Sequence, residues 1–477
     1  MPEAHRKRED FTRWFRETTL AAEVYDYRVL VKGCGVWPSY GFKLRNNVLS
    51  IIRRLLDETG HEECLFPLLI PQSLLAKEAE HIRSFEKEVF WVTRGGATEL
   101  DEKLALRPTS ETVIMPMFKL WIHSHADLPK KVYQVVSVFR YETKATHPMI
   151  RVREVTTFKE AHTAHASYED AEKQVNEAIQ IYKRFFDELG IPYVISKRPE
   201  WDKFAGAVYT ISFDTLMPEG RTLQIGTVHN LGQNFSKPFE VEFLKLDGSR
   251  DYVYTTSYGV SERVIAALIA IHGDDRGLVL PPKVAPIQVV VVPIPYKGKE
   301  SEVLEASRKA ADLLKAGDVR LRLDDRDDIT PGEKYYYWEL KGVPVRVEVG
   351  PKDLEAGTVT LCRRDTLERT RCPFEELVER VKELFKDIEG SLRDRAWREF
   401  KEHLIYVKTL EEAKKLVSEK AGIIHVAWCG STECGLRLEQ EIEGRVLGTP
   451  IDEGKVDGKC VVCGGEAESY VRLAKTF

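Results

Sequence analysis

The chain of 477 residues has no run of eighteen or more apolar residues, so no membrane-spanning helix is expected. Its start is basic and polar (Glu3, His5, Arg6, Lys7, Arg8) and lacks the apolar core of a secretory signal. A solvated helix end and a cytoplasmic location are expected from this start. Glycine-rich phosphate loops of both common types are missing, so a nucleotide would have to be held on another scaffold. Neither sign of charge is in large excess: 31% of residues are charged, yet the net charge is only -5. A nucleic-acid partner would therefore be met by local basic patches. No internal repeat or low-complexity stretch occurs.

Cysteine is scarce and unevenly placed. Of the eight, Cys34, Cys64, Cys362 and Cys372 are scattered, as reduced intracellular thiols usually are. Cys429, Cys434, Cys460 and Cys463 form a C-x4-C and a C-x2-C about 25 residues apart, the second followed by Gly464 and Gly465. Two close pairs separated by a loop can surround a zinc ion tetrahedrally. Two disulfides, or four unligated thiols, are the rival reading.

The length exceeds one hydrophobic core, and changes of style along the chain give three domains. Residues 1–280 mix strands and helices, with alternating stretches such as 208–213 and 241–245. Such alternation favours an antiparallel sheet with one face solvated or ligand-lined. Three prolines within residues 278–286 mark a linker. Residues 287–384 read as an α/β domain of βαβ type: 287–294 is almost all β-branched and 302–314 is amphipathic at helical spacing. In the same domain Val343, Val345, Val347 and Val349 share a strand face opposite Arg346 and Glu348. Residues 387–477 add a charged helix, a strand–helix–strand unit over 405–426 and the cysteine pairs. The whole is a multidomain α+β and α/β protein.

Three segments carry chemistry. Residues 133–142 alternate like a strand, which places Arg140 and Glu142 on one face, and the loop 143–149 reads as a hairpin returning through Arg151 and Arg153. Arginines beside a glutamate suit an anionic ligand that also donates hydrogen bonds, and ATP fits, with guanidinium forks for its phosphates and a carboxylate for its adenine amino group. A solvated, salt-bridged strand face is the alternative. Downstream, Arg263 opens an uncharged run, 264–271, and so sits in the first turn of a buried helix, where a cation makes sense if an anion is bound. Upstream, Arg107-Pro108-Thr109-Ser110-Glu111 precedes a helical run; taken alone, Thr109 or Ser110 is an N-cap.

In this order the segments resemble the three signature motifs of class II aminoacyl-tRNA synthetases: helix 42–56 with a strand at Phe66-Pro67, the Arg140–Glu142 hairpin, and the Gly259–Arg263 turn with its helix. Residues 107–111, 224–229 (QIGTVH), 231–235 (LGQNF) and 331–334 (PGEK) further resemble the archaeal and eukaryotic type of prolyl-tRNA synthetase, from about residue 10 to the last.

That resemblance implies an antiparallel-sheet catalytic domain, an anticodon-binding α/β domain and a C-terminal zinc-binding domain with structural Zn2+ on the four cysteines. It implies a homodimer that joins L-proline to tRNA(Pro) using ATP with Mg2+. Arg140 would serve the α-phosphate and the amino-acid carboxylate, Arg263 the γ-phosphate and Glu142 the adenine; Arg151, Gln224, Thr227 and Ser261 complete the ATP contacts. Thr109, Glu111 and His229 would hold proline, walled by Phe158, Glu160 and His162, which alternation allows to share one face. A satisfied core residue is the rival reading for His162 or Gln224. Glu339, Arg346 and Lys352 would read anticodon guanines, or else be ordinary surface charges. Phe477 would fold back toward the active site. About 110 residues separate Arg153 from Arg263, too few for the large editing insertion of bacterial relatives. A small, nearly apolar pocket discriminates weakly, so alanine and cysteine would be misactivated. A catalytically silent regulator is the competing class, yet Arg140, Glu142 and Arg263 are all present; a synthetase for another small amino acid is the nearer rival.

Overall fold

The computed structural model describes residues 6–28, 31–77, 87–453, 456 and 458–477. Glu3 and His5 lie outside these. Lys7 corrects the expectation of a solvated start. Its ammonium donates to the carbonyls of Ile271 (3.4 Å) and Gly273 (2.5 Å), closing the C-terminal end of the helix Arg263–His272.

Strands are numbered in chain order. β1 (Glu62–Glu63) is followed by a small antiparallel sheet of β2 (Leu69–Pro71), β3 (Phe90–Gly95) and β4 (Thr98–Leu106). Then come β5 (Lys130–Phe139), β6 (Glu154–His165), β7 (Val194–Lys197), β8 (Tyr209–Leu216) and β9 (Thr222–Gly232), the hairpin β10 (Glu242–Leu244) and β11 (Arg250–Tyr252), and β12 (Tyr254–Ser261). The main sheet runs β1-β5-β6-β12-β9-β8-β7; all its neighbours are antiparallel except β1 against β5. Helices 39–57, 168–189 and 263–272 supply the core on one face. The helix Tyr168–Leu189 shows why it forms where it does: Ser167 Oγ accepts from Asp170 N (3.1 Å), the first turn is acidic, and Gly190 ends it at φ 67°.

The second sheet holds β13 (Val289–Pro293), β14 (Leu321–Leu323), β15 (Val345–Val349), β16 (Thr358–Arg363) and β17 (Arg369–Pro373) in the order β14-β13-β15-β16-β17. Its first three strands are parallel, with the helix Glu300–Ala316 between β13 and β14 as a βαβ unit requires. The helix Leu377–Glu402 then runs unbroken through residues 384–387, where one domain was expected to give way to the next. Last come β18 (Leu404–Tyr406), β19 (Ile423–Trp428), β20 (Arg445–Pro450) and β21 (Ser469–Ala474). β20 pairs with β7, so these strands extend the main sheet to eleven.

Three local expectations are corrected. No strand forms at Phe66-Pro67; instead Phe66 N donates to the buried Gln134 Oε1 at 3.0 Å. The segment 278–286, read as a linker, is packed along its length: Leu278, Leu280, Val284 and Ala285 belong to the core of the first domain. Arg140 and Glu142 lie beyond β5, and Arg151 and Arg153 precede β6. Tyr141 N turns away to Glu88 O (2.7 Å) and Arg153 N to Gly33 O (2.7 Å), so tertiary partners end the ladder before the hairpin tip.

Candidate active site

The face of the main sheet opposite the helices floors a cavity of about 480 Å³. Thr109, Glu111, Arg140, Glu142, Arg151, Phe158, Glu160, His162, Gln224, Thr227, His229, Ser261 and Arg263 all line it. Strand register explains the convergence: Ser257 of β12 stands opposite His162 of β6 on one side and His229 of β9 on the other. Phe158, Glu160 and His162 point into the cavity as period two requires, while Lys159 is buried on the other face against Tyr182 Oη (2.8 Å).

Three arginines, Arg140, Arg151 and Arg263, line the cavity. Arg140 Nε donates to Pro108 O (3.2 Å) and Arg263 Nε to Ile150 O (2.9 Å), which fixes both guanidinium planes through backbone carbonyls. Burial, then the nearby charges of Arg140 and Arg151, lower the Arg263 pKa to about 10. Arg263 therefore stays charged at neutral pH among like charges, an arrangement that a polyanion relieves. Glu142 meets Lys144 N (2.8 Å) and lies 3.7 Å from Arg151 Nε. Arg153 is turned away, its guanidinium 4.2 Å from the Tyr141 ring.

The carboxylates of Glu111 and Glu160 line the same cavity. Glu160 accepts from Ser110 Oγ (2.5 Å), Gln134 Nε2 (2.9 Å) and, at 3.2 Å, pairs with His162 Nε2. Burial pushes its pKa up, but these partners outweigh burial and hold it below the ordinary value, so Glu160 is ionised. Thr109 Oγ1 donates to Glu111, and neither Thr109 nor Ser110 caps the helix Glu111–Trp121; that corrects the capping expectation. Thr210 Oγ1 bonds His229 Nδ1 (2.9 Å) and the Phe204 ring lies 4.6 Å from the His229 ring.

Gln134, Phe204, Thr210 and Glu262 were not expected at the site from sequence, and Ser110 was read only as a helix cap. Only Gln134, a polar residue inside an apolar strand, carried a local signal. Glu262 is buried between Ser261 and Arg263 and accepts from Thr156 Oγ1 (2.8 Å) and Thr157 N (3.0 Å). Burial raises its pKa to about 7 despite these bonds.

Away from this cavity, Glu339 and Arg346 are joined at 2.9 Å, and Arg346 also binds Glu348 (2.9 Å) and lies 3.8 Å from the Tyr335 ring. Both are buried, so they are not the free surface charges of the alternative reading; Lys352 is exposed. The four C-terminal cysteines bring their sulfurs within 4.8 Å of one another, and no disulfide joins any of the eight. Cys429 and Cys463 are 3.8 Å apart, which matches the ~3.8 Å edge of a tetrahedron with Zn–S bonds of about 2.3 Å. The donor set thus fits zinc.

Three family models match: the class II tRNA synthetase core domain (G, H, P, S and T) over residues 90–272, an anticodon-binding domain over 288–384, and the prolyl-tRNA synthetase C-terminal domain over 410–477. The proline–tRNA ligase of Ignicoccus hospitalis is 59% identical over 476 residues, 99% of each chain. That of Methanopyrus kandleri is 58% identical over 469 residues, 98% of this chain and 96% of the relative. The solved structure of Giardia lamblia prolyl-tRNA synthetase in complex with prolyl-adenylate superposes with a TM-score of 0.96 at 36% identity, over 99% of each chain.

Proposed function

The chain belongs to the prolyl-tRNA synthetases and is a proline–tRNA ligase, and we propose that the residues above divide its reaction as follows. In the first step the carboxylate of proline attacks the α-phosphorus of ATP, forming prolyl-adenylate and releasing pyrophosphate. In the second, a terminal ribose hydroxyl of tRNA(Pro) attacks the activated carbonyl. Step one needs no general base, since a carboxylate is ionised at neutral pH. Catalysis rests on positioning and on preorganised cations. Arg140 serves the proline carboxylate and the α-phosphate, Arg151 and Arg263 the outer phosphates, and Glu142 the adenine amino group, with Gln224, Thr227 and Ser261 as further ATP contacts. Mg2+ brought with ATP would add positive charge at the phosphates beside Arg140, Arg151 and Arg263. Thr109 and Glu111 take the secondary ammonium, His229 helps hold the carboxylate, and Phe158 and His162 wall the ring beside ionised Glu160. The observation that carries this reading is the convergence of Arg140, Arg151 and Arg263 on one cavity that Glu111 and Glu160 also line.

Around this core we place three further assignments. Zinc held by Cys429, Cys434, Cys460 and Cys463 fixes the last domain (387–477) structurally. Glu339, Arg346 and Lys352, in the domain 287–384, read the anticodon. The chain forms a homodimer in the cytoplasm; the exposed Leu65, Leu68, Leu69, Leu120 and Trp121 beside the sheet edge supply apolar surface for it. A pocket of this size also activates alanine and cysteine, since one methylene is worth only about 1–3 kcal/mol. No proofreading follows within this chain; hydrolysis of preformed alanyl-tRNA by the purified protein would contradict that. The test of the first step is ATP–pyrophosphate exchange with proline, alanine and cysteine in parallel. Exchange strongest with proline supports the assignment, and none with any of the three from folded protein overturns it.

A further inference from the structure

The turn that carries Arg151 is gripped from outside the active site. Its ends close on each other, with His147 N donating to Arg151 O (2.8 Å) and Arg151 N to His147 O (2.9 Å). Between them Met149 sits at φ 57°, and Ile150 O accepts from Arg263 Nε (2.9 Å). One short turn thus aims Arg151 at the cavity and pins Arg263. The His147 ring lies between two aromatic rings: Phe15, 5.5 Å away, from the N-terminal helix, and Phe477, 5.8 Å away and edge-on, from the C-terminus. Phe477 is itself anchored. Its N donates to Thr222 O (3.2 Å), Thr222 N donates to Lys475 O (2.8 Å), and the Arg221 guanidinium lies 3.9 Å from its ring. Burial lowers the pKa of His147 although its ring also meets the Pro148 backbone, so the imidazole is neutral and acts through its aromatic contacts.

We propose that His147 is a positioning residue for ATP: held between Phe15 and Phe477, its ring fixes the 147–151 turn and through it the guanidiniums of Arg151 and Arg263. The assignment rests on the ATP-binding reading of the cavity. A phosphate clamp loses effect steeply with displacement, since about 1 Å of misplacement costs on the order of a hundredfold. A lost ring at position 147 therefore acts on ATP before it acts on proline.

The test uses the full zinc-loaded chain, with ATP affinity measured by calorimetry and the KM for ATP and for proline by exchange. His147→Ala is expected to weaken ATP binding and raise the KM for ATP roughly tenfold or more, with the KM for proline within about twofold of wild type. His147→Phe, which keeps an aromatic ring and removes both nitrogens, is expected to restore wild-type values. Phe477→Leu, outside the turn, is expected to shift ATP in the same direction and covers the case of a misfolded alanine variant. Unchanged ATP affinity in both His147→Ala and Phe477→Leu overturns the proposal, as does a phenylalanine variant as impaired as the alanine one. Failure of the underlying reading looks different: wild type itself would then bind no ATP.

Discussion

Glu262, buried, and Arg263, half-buried, are adjacent in sequence, and each costs the ligand-free protein stability when charged. Arg263 stands beside two other arginines, so the ligand-free protein stores repulsion that ATP should relieve if it binds there as proposed. Arg263→Gln is expected to cut exchange by about a hundredfold or more, while leaving the thermal midpoint of the free protein equal or higher. Adding ATP should raise the midpoint of wild type and hardly move that of the variant, which a thermal shift series checks. Glu262 gives a pH signature. Its folded pKa of about 7 is above the unfolded carboxylate value, so between roughly pH 4.5 and 7 the folded state holds the extra proton. That contribution is complete below the unfolded pKa and fades as pH rises through 7. Glu262→Gln should therefore gain stability relative to wild type as pH climbs from 5 to 8, in paired denaturation curves; a difference flat with pH would contradict the assignment.

At the level of elements, the helix opening at Arg263, the strand face of Phe158, Glu160 and His162 and the valine strand near Arg346 were legible, because each rests on a local period. The hairpin tip was not. Alternation continues through Arg140 in sequence, but beyond the Arg140 N to Arg153 O bond Glu88 and Gly33 take backbone bonds that a ladder would have used, and no local pattern names those partners. Thr109 and Ser110 misled for a related reason: both hydroxyls turn to carboxylates of the cavity, Glu111 and Glu160, and leave the helix end uncapped. The cysteine pairs read correctly as a cluster, since their spacing is itself the geometric constraint. Replacing Cys434 or Cys460 by serine should lower zinc content and the thermal midpoint together, by metal analysis and calorimetry. In the second sheet, Arg346→Ala should raise the KM for tRNA while exchange stays near wild type, which parallel charging and exchange assays resolve; equal loss of both would count against an anticodon role.

Across the whole molecule, the eleven-stranded sheet joins the catalytic strands to the C-terminal ones through β7 and β20, which sequence order conceals because more than 240 residues separate them. The buried segment 278–286 and the helix Leu377–Glu402 tie the middle sheet to both. Removing residues 403–477 should therefore do more than delete a module: it exposes the edge of β7 and releases the turn at His147, so the truncated chain is expected to lose exchange and to aggregate. The account's central claim is that this molecule couples proline to tRNA through an activated adenylate. The measurement that tests it most directly is charging of tRNA(Pro) with labelled proline by the zinc-loaded protein, with and without ATP. The account predicts prolyl-tRNA that forms only when ATP is present. Absence of charging from a folded protein that still binds ATP would contradict it.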